Sequence, residues 1–183
     1  MRSIPAQTRR GGTSSEGDTS AVLAAMEGSR PLLVEVQALV SPSELVPPRR
    51  VCAGIDRNRL ALVLAVLSRH AGVSTATADV FVNVVGGVRV DEPGADLALA
   101  LAVASAARGA PLGGEPAGES PPACFGELGL TGELRPVAHA DRRLAEAARA
   151  GPGSAARRAA RSGLDPGPVG NRKTAGKTGR NLR

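Results

Sequence analysis

The segment Asp79-Val-Phe-Val-Asn-Val-Val85 is β-branched and almost wholly apolar. Branching at Cβ favours the extended chain, and an apolar run without alternation has to be covered on both sides of its pleat. The segment therefore predicts a central strand with other elements packed above and below it. Gly86-Gly87 ends the run. A chain built around such a strand must fold in layers on a sheet.

The flanking segments supply the layers. In Pro31–Val40, residues Leu32, Val34, Val36, Ala38 and Val40 share one face and Glu35 and Gln37 the other, the alternation of a half-buried strand. The three prolines of Ser41–Pro48 remove ladder donors, so that stretch is a loop into a second strand at about 49–55. Asp56 is placed to cap a helix over 57–70, in which Leu60, Val63, Leu64 and Leu67 recur at helical spacing and Gly72 supplies the stop. Asp96 is placed to cap an alanine-rich helix over 97–108, with Leu97, Leu101 and Ala104 along one side and Gly109 beyond its end. Residues 111–122 read as a Pro/Gly/Ser loop, 123–130 and 133–137 as a hairpin about Thr131-Gly132, and Asp141 as the cap of a last helix over 142–150. Strands interspersed with helices make residues 21–150 one α/β domain. Residues 1–20 read as a disordered leader and 151–183 as a basic, low-complexity tail.

Charge is divided in the same way. The chain has 183 residues and a formal charge of +6, but residues 151–183 carry eight Lys or Arg against one acid, while residues 1–150 carry fifteen bases against sixteen acids. The high isoelectric point belongs to the tail, which reads as a solvated end, with polyanion binding as the alternative. Phe81 and Phe125 are the only aromatic residues, which argues against a nucleic-acid surface built on base stacking. Cys52, Cys124, His70 and His139 do not form a zinc-ligand pattern. No apolar run has the length of a membrane span and no signal peptide is evident, so the expectation is a cytoplasmic protein with reduced thiols.

Five blocks carry a family resemblance: VEVQALV at 34–40, PRR at 48–50, GIDRNRLALVLAVL at 54–67, DVFVNVVGGVRVDEPGADLALALAVASA at 79–106 and GELGLTGELRPV at 126–137. In this order they closely resemble the C-terminal domain of the bacterial RadA (Sms) family of DNA-repair proteins, which is similar in turn to the peptidase domain of Lon. The resemblance implies a Lon-like, ribosomal-protein-type α/β fold with a small mixed sheet and packed helices. It also implies a hexameric ring and a scaffold role in recombinational repair, with DNA and recombinases as partners. The ATP and zinc of that family belong to a P-loop ATPase and a four-cysteine finger; neither is found in these residues, so no cofactor is expected in this chain. Ala175-Gly-Lys-Thr178 is a lookalike only, because a phosphate-binding loop needs glycine where Asn171 stands. The likeness stops near Gly151, where the family would continue into an apolar strand, and the tail has the look of a frame change or a truncated gene. Loss of that strand is expected to expose a sheet edge and lower stability.

The likeness to Lon raises the question of peptidase chemistry. A serine hydroxyl is a weak nucleophile until a neighbouring base, in Lon a lysine, takes its proton. By the resemblance the serine position falls on Gly94 or Ala95 and the lysine position on Asp141. None of these supplies the dyad, and no lysine occurs before Lys173. Asp91, Glu92 and Asp96 cluster at one turn but read as a cap and two solvated acids. His139 beside Asp141 reads as a turn residue, His70 as a dipole partner at a helix C-terminus, and the two cysteines as small buried apolar groups. Arg49, Arg50, Arg57, Arg59, Arg89, Arg135, Arg142 and Arg143 are the candidates for phosphate contact, with ion pairing between subunits or on the surface as their competing role. The expectation is thus a non-catalytic scaffold, against which stand an ATP-dependent serine peptidase of the Lon type and a non-functional gene remnant.

Overall fold

A computed structural model describes residues 19–112 and 123–149. The expected leader, most of the 111–122 loop and the tail lie outside these residues. The described chain is mixed α/β. A five-stranded mixed sheet has the order β3-β4-β2-β1-β5, with β1 at Ala21–Glu27, β2 at Arg30–Pro42, β3 at Arg50–Ala53, β4 at Ala78–Val84 and β5 at Ala123–Cys124. Helices α1 (Arg57–His70) and α2 (Asp96–Arg108) cover one face, and α3 (Ala140–Arg149) lies on part of the other. A two-stranded hairpin, β6 (Glu127–Leu128) with β7 (Leu134–Arg135), stands beside the sheet. No described helix is long and apolar enough to cross a membrane.

Register explains which side chains meet. β1 runs antiparallel to β2, with Ala21 opposite Val36 and Leu23 opposite Val34; β2 runs antiparallel to β4, with Val36, Ala38 and Val40 opposite Val84, Val82 and Val80. Alternate residues point to one side of a pleat, so these pairs form a single apolar surface. Leu60, Val63, Leu64 and Leu67 of α1 and Ala98, Leu99, Ala102 and Val103 of α2 bury themselves against it.

Helix α1 spans the residues its periodicity predicts. Asp56 accepts hydrogen bonds from the backbone N–H groups of Asn58 and Arg59, and Gly72 turns the chain in the left-handed region just past the helix end. Gly54, before it, has φ of +81°, and a Cβ there would sit 2.6 Å from both Val84 Cβ and the carbonyl oxygen of Val88, so only glycine fits.

Three expectations are corrected. The first strand is not the segment at 31–40 but Ala21–Glu27, whose three alanines carry little strand propensity of their own. Second, β4 is not covered on both faces: Val80, Val82 and Val84 are buried, but Phe81 is only half-buried and Asn83 is exposed. Phe81 pairs with Leu39 on one side and Val51 on the other, and these are 60% and 48% exposed. Third, Asp141 lies within α3, in its first turn, rather than ahead of the helix as its cap.

Candidate functional site

The cleft with most chemistry forms where two strand-to-helix connections meet. β3 leads through Gly54, Ile55 and Asp56 into α1. β4 leads through residues 85–92 and the 3-10 turn Pro93–Ala95 into α2. Because β3 and β4 are parallel, both connections leave the same end of the sheet, where crevices open in α/β folds. A cleft of about 330 Å³ lies there, floored by Ile55, Val90, Ala95 and Leu99 and rimmed by Asp56, Arg59, Arg89, Asp91, Glu92 and Pro93.

Asp96, expected to cap α2, does something else. Ala95 holds the cap position without a side-chain bond, and the Asp96 carboxylate is buried beneath Arg59. Arg59 donates from Nε to Oδ1 at 2.5 Å and from Nη2 to Oδ2 at 2.9 Å, while the N–H of Leu128 donates to Oδ2 at 3.0 Å. Burial raises the Asp96 pKa, opposed by the Leu128 N–H and by Arg59. This pair pins α1, α2 and the hairpin together.

Glu92 is not a solvated acid either. Arg143, 2% exposed, donates from Nη1 to Glu92 Oε1 at 2.9 Å and from Nη2 to Oε2 at 2.5 Å. It also donates to the carbonyls of Ala24 at 2.6 Å and Ala138 at 3.0 Å, and its guanidinium lies 5.6 Å from the ring centroid of Phe125. A Cβ on Gly94 would stand 3.2 Å from Arg143 Nη1. One of the two positions matched to the Lon nucleophile therefore faces a guanidinium already held by a carboxylate. Ala95 is itself buried, and Asp141 is exposed on α3.

The other candidate arginines divide by geometry. Arg49 pairs with Asp79 at 2.7 Å and lies 5.7 Å from the Phe81 centroid. Asp79 is held down to about 2 by a hydrogen bond with Ser43, then by the Arg49 backbone N–H and side chain. Arg50 donates to the carbonyls of Arg49, Ala78 and Thr75, fixing the loop before β4. Arg89 pairs with Asp91, Arg135 with Glu133 and Glu127, and Arg142 donates to the carbonyl of Ser29. Arg57 is exposed, and its side chain makes no ion pair or hydrogen bond among the described residues. The structure thus removes Arg143 from the accessible set, and it brings Arg59 and Arg89 together at the rim of the cleft. Neither the Glu92–Arg143 nor the Arg59–Asp96 pairing was legible in the spacing, since the partners are 51 and 37 residues apart.

The remaining groups are structural. Nε2 of His70 donates to the carbonyl of Leu130 at 3.0 Å, so the ring ties α1 to the hairpin rather than serving the helix end. His139 takes φ of +60° in the turn before α3. Cys124 is buried, which pushes its thiol up to about 12, whereas Cys52 is half-buried.

Similarity to known proteins covers most of the described body. Over 132 residues, 72% of the chain, it is 54% identical to the DNA repair protein RadA of Haemophilus influenzae and 53% identical to that of Escherichia coli. Over 151 residues, 81% of the chain, it is 46% identical to the DNA repair protein RadA of Brucella abortus. The matched segment spans 28%, 27% and 31% of those relatives' lengths. No family model matches the chain.

Proposed function

We infer that this chain, a homologue of one segment of the DNA repair protein RadA, acts in DNA repair as a non-catalytic, self-associating scaffold of the Lon-like class that supports contact with DNA. The observation that carries the non-catalytic part is the closed turn ahead of α2. Gly94 and Ala95 offer no hydroxyl, and the space beside Gly94 is taken by the Arg143 guanidinium bound to Glu92. A nucleophile needs both a hydroxyl or thiol and a base within reach of it, and here a fully engaged ion pair stands in that place.

Support for the scaffold part comes from the sheet. Leu39, Phe81 and Val51 form a row across β2, β4 and β3 on the side away from α1 and α2, and among the described residues α3 packs on β1 and the first half of β2, around Val22 and Leu33, and not on this row. An apolar row of this kind suits contact between subunits. DNA contact would fall to exposed arginines such as Arg57, Arg89 and Arg142, which act as positioning contacts on phosphates and not as readers of sequence.

The test combines three measurements on the purified chain. Sedimentation velocity is expected to show an oligomer. Fluorescence anisotropy with labelled DNA is expected to show binding that weakens steeply as salt is raised. Incubation with casein and with a serine-directed fluorophosphonate is expected to give neither cleavage nor an adduct. A labelled hydroxyl in residues 19–149 would overturn the non-catalytic assignment, and a monomer that ignores DNA would overturn the scaffold.

A further inference from the structure

We infer that Glu92 and Arg143 form a latch coupling the two faces of the sheet, so that α3 and the turn Pro93–Ala95 come loose together as one unit while the α1/α2 core stays folded. This holds whether or not the chain contacts DNA.

The latch joins three segments. Glu92 Oε1 accepts from the backbone N–H of Met26 in β1 at 2.9 Å and from Arg143 of α3 at 2.9 Å, and Glu92 itself begins the turn that enters α2. Arg143 returns a bond to β1 through the carbonyl of Ala24. Each bond joins two of the three segments and together they close a ring among β1, the turn and α3, so loss of Arg143 opens two of its three sides at once.

Among the described residues the apolar cluster under α3 is small. The inward face of the helix offers Leu144, half-buried, and Ala147, against Val22, Leu33 and Ala123. A helix of ten residues does not hold itself together in water, so α3 persists through its docking, in which the polar hub stands beside this small apolar cluster. Segments with few buried apolar contacts open before the global transition.

The turn is a wall shared by both sides. Glu92, Pro93 and Ala95 line the 330 Å³ cleft, while Gly94 lets the guanidinium approach from the α3 side. When Arg143 leaves, the Glu92 carboxylate loses its counter-charge and turns to water, and the turn loses its anchor. A ligand that braces the cleft wall would by reciprocity hold α3 down, and whatever lifts α3 would reshape the cleft.

Native-state hydrogen exchange on the whole chain tests this. The amides of Leu144–Arg149, of Ala95, which bonds to the Glu92 carbonyl, and of Gly126, which bonds to the Gly94 carbonyl, are expected to share one opening equilibrium, at least ten-fold more open than that of Val63 and Val103. In Arg143→Met, exchange at all of the first group rises ten-fold or more and stays at least ten-fold faster than that of Val63 and Val103. Arg142→Ala, which removes only the Ser29 contact, leaves Ala95 and Gly126 unchanged. Faster exchange in α3 without Ala95 and Gly126, or opening of the whole group only together with Val63 and Val103, would overturn the latch. Should Arg143→Met not fold, the wild-type exchange pattern alone decides between these outcomes.

Discussion

The two faces of the sheet are held by different forces. Against α1 and α2 the sheet presents Val34, Val36, Val80, Val82 and Val84, and the helices answer with leucine, valine and alanine in a continuous buried cluster. On the other face a small cluster under α3 is supplemented by a buried arginine, and beyond α3 the row Leu39, Phe81 and Val51 stays partly open. Aliphatic burial is non-directional and forgiving, whereas the Arg143 hub depends on five groups standing in fixed positions. The same β2 strand serves both faces, so the difference lies in what is packed on it and not in the strand itself.

Substitution breaks the comparison most strongly on the aliphatic side. Leu99 is fully buried among α1, α2 and the sheet, and Leu99→Ala is expected to lower unfolding stability in urea by about 3–5 kcal/mol, with loss of the whole core at once. Arg143→Met comes next. It leaves Glu92 without its counter-charge, but Glu92 is partly exposed and can reach water. The expected loss is about 2–3 kcal/mol, below the range for a fully buried pair, and it is read in the same urea titration.

A third prediction concerns pH and the edge of the open face. Because the Asp79 pKa in the folded chain is about 2, below its value in an unfolded chain, its hydrogen bonds from Ser43 and the Arg49 N–H, joined by the Arg49 side chain, stabilise the fold at neutral pH. That contribution is full above about pH 4 and is lost as pH falls through about 2. Asp79→Asn should therefore melt lower than the parent chain at pH 6, with the gap between the two closing as the pH falls from 4 to 2. A gap that stays constant across that window would refute the assignment. The smallest effect belongs to the open row. Leu39→Ser, on a residue 60% exposed, should change stability by no more than about 0.5 kcal/mol while weakening self-association in sedimentation.

The sequence revealed these regions unequally. Helix α1 was legible to the residue, because an Asp cap, four apolar positions at helical spacing and a following glycine all agree. The α/β class, β2, the loop after it and the hairpin turn were legible for the same reason of local consistency, but the expected first arm at 123–130 divides: Ala123–Cys124 joins β1 in the main sheet and Glu127–Leu128 alone pairs across the turn. β1 was not, since Ala21, Ala24 and Ala25 have no strand preference and become strand only by pairing with β2. The open side of β4 was misread because a run of apolar residues states what would be stable if covered, not that a cover exists. Asp96 and Glu92 were misread as cap and solvated acid because their local roles were plausible and their partners lay far along the chain.

Composition and order alone decided that this chain mixes helices and strands, that its blocks match a segment of RadA proteins, and that neither Gly94 nor Ala95 can supply a hydroxyl. These are properties of single residues and near neighbours, and no folding is needed to read them. Tertiary structure alone decided that the space beside Gly94 is filled by Arg143, that Glu92 rather than solvent holds that arginine, and that among the described residues α3 covers one half of the second sheet face and not the other. Each of these depends on segments brought together from distant parts of the chain, and contact at that range is fixed by packing and register, which local preference does not encode.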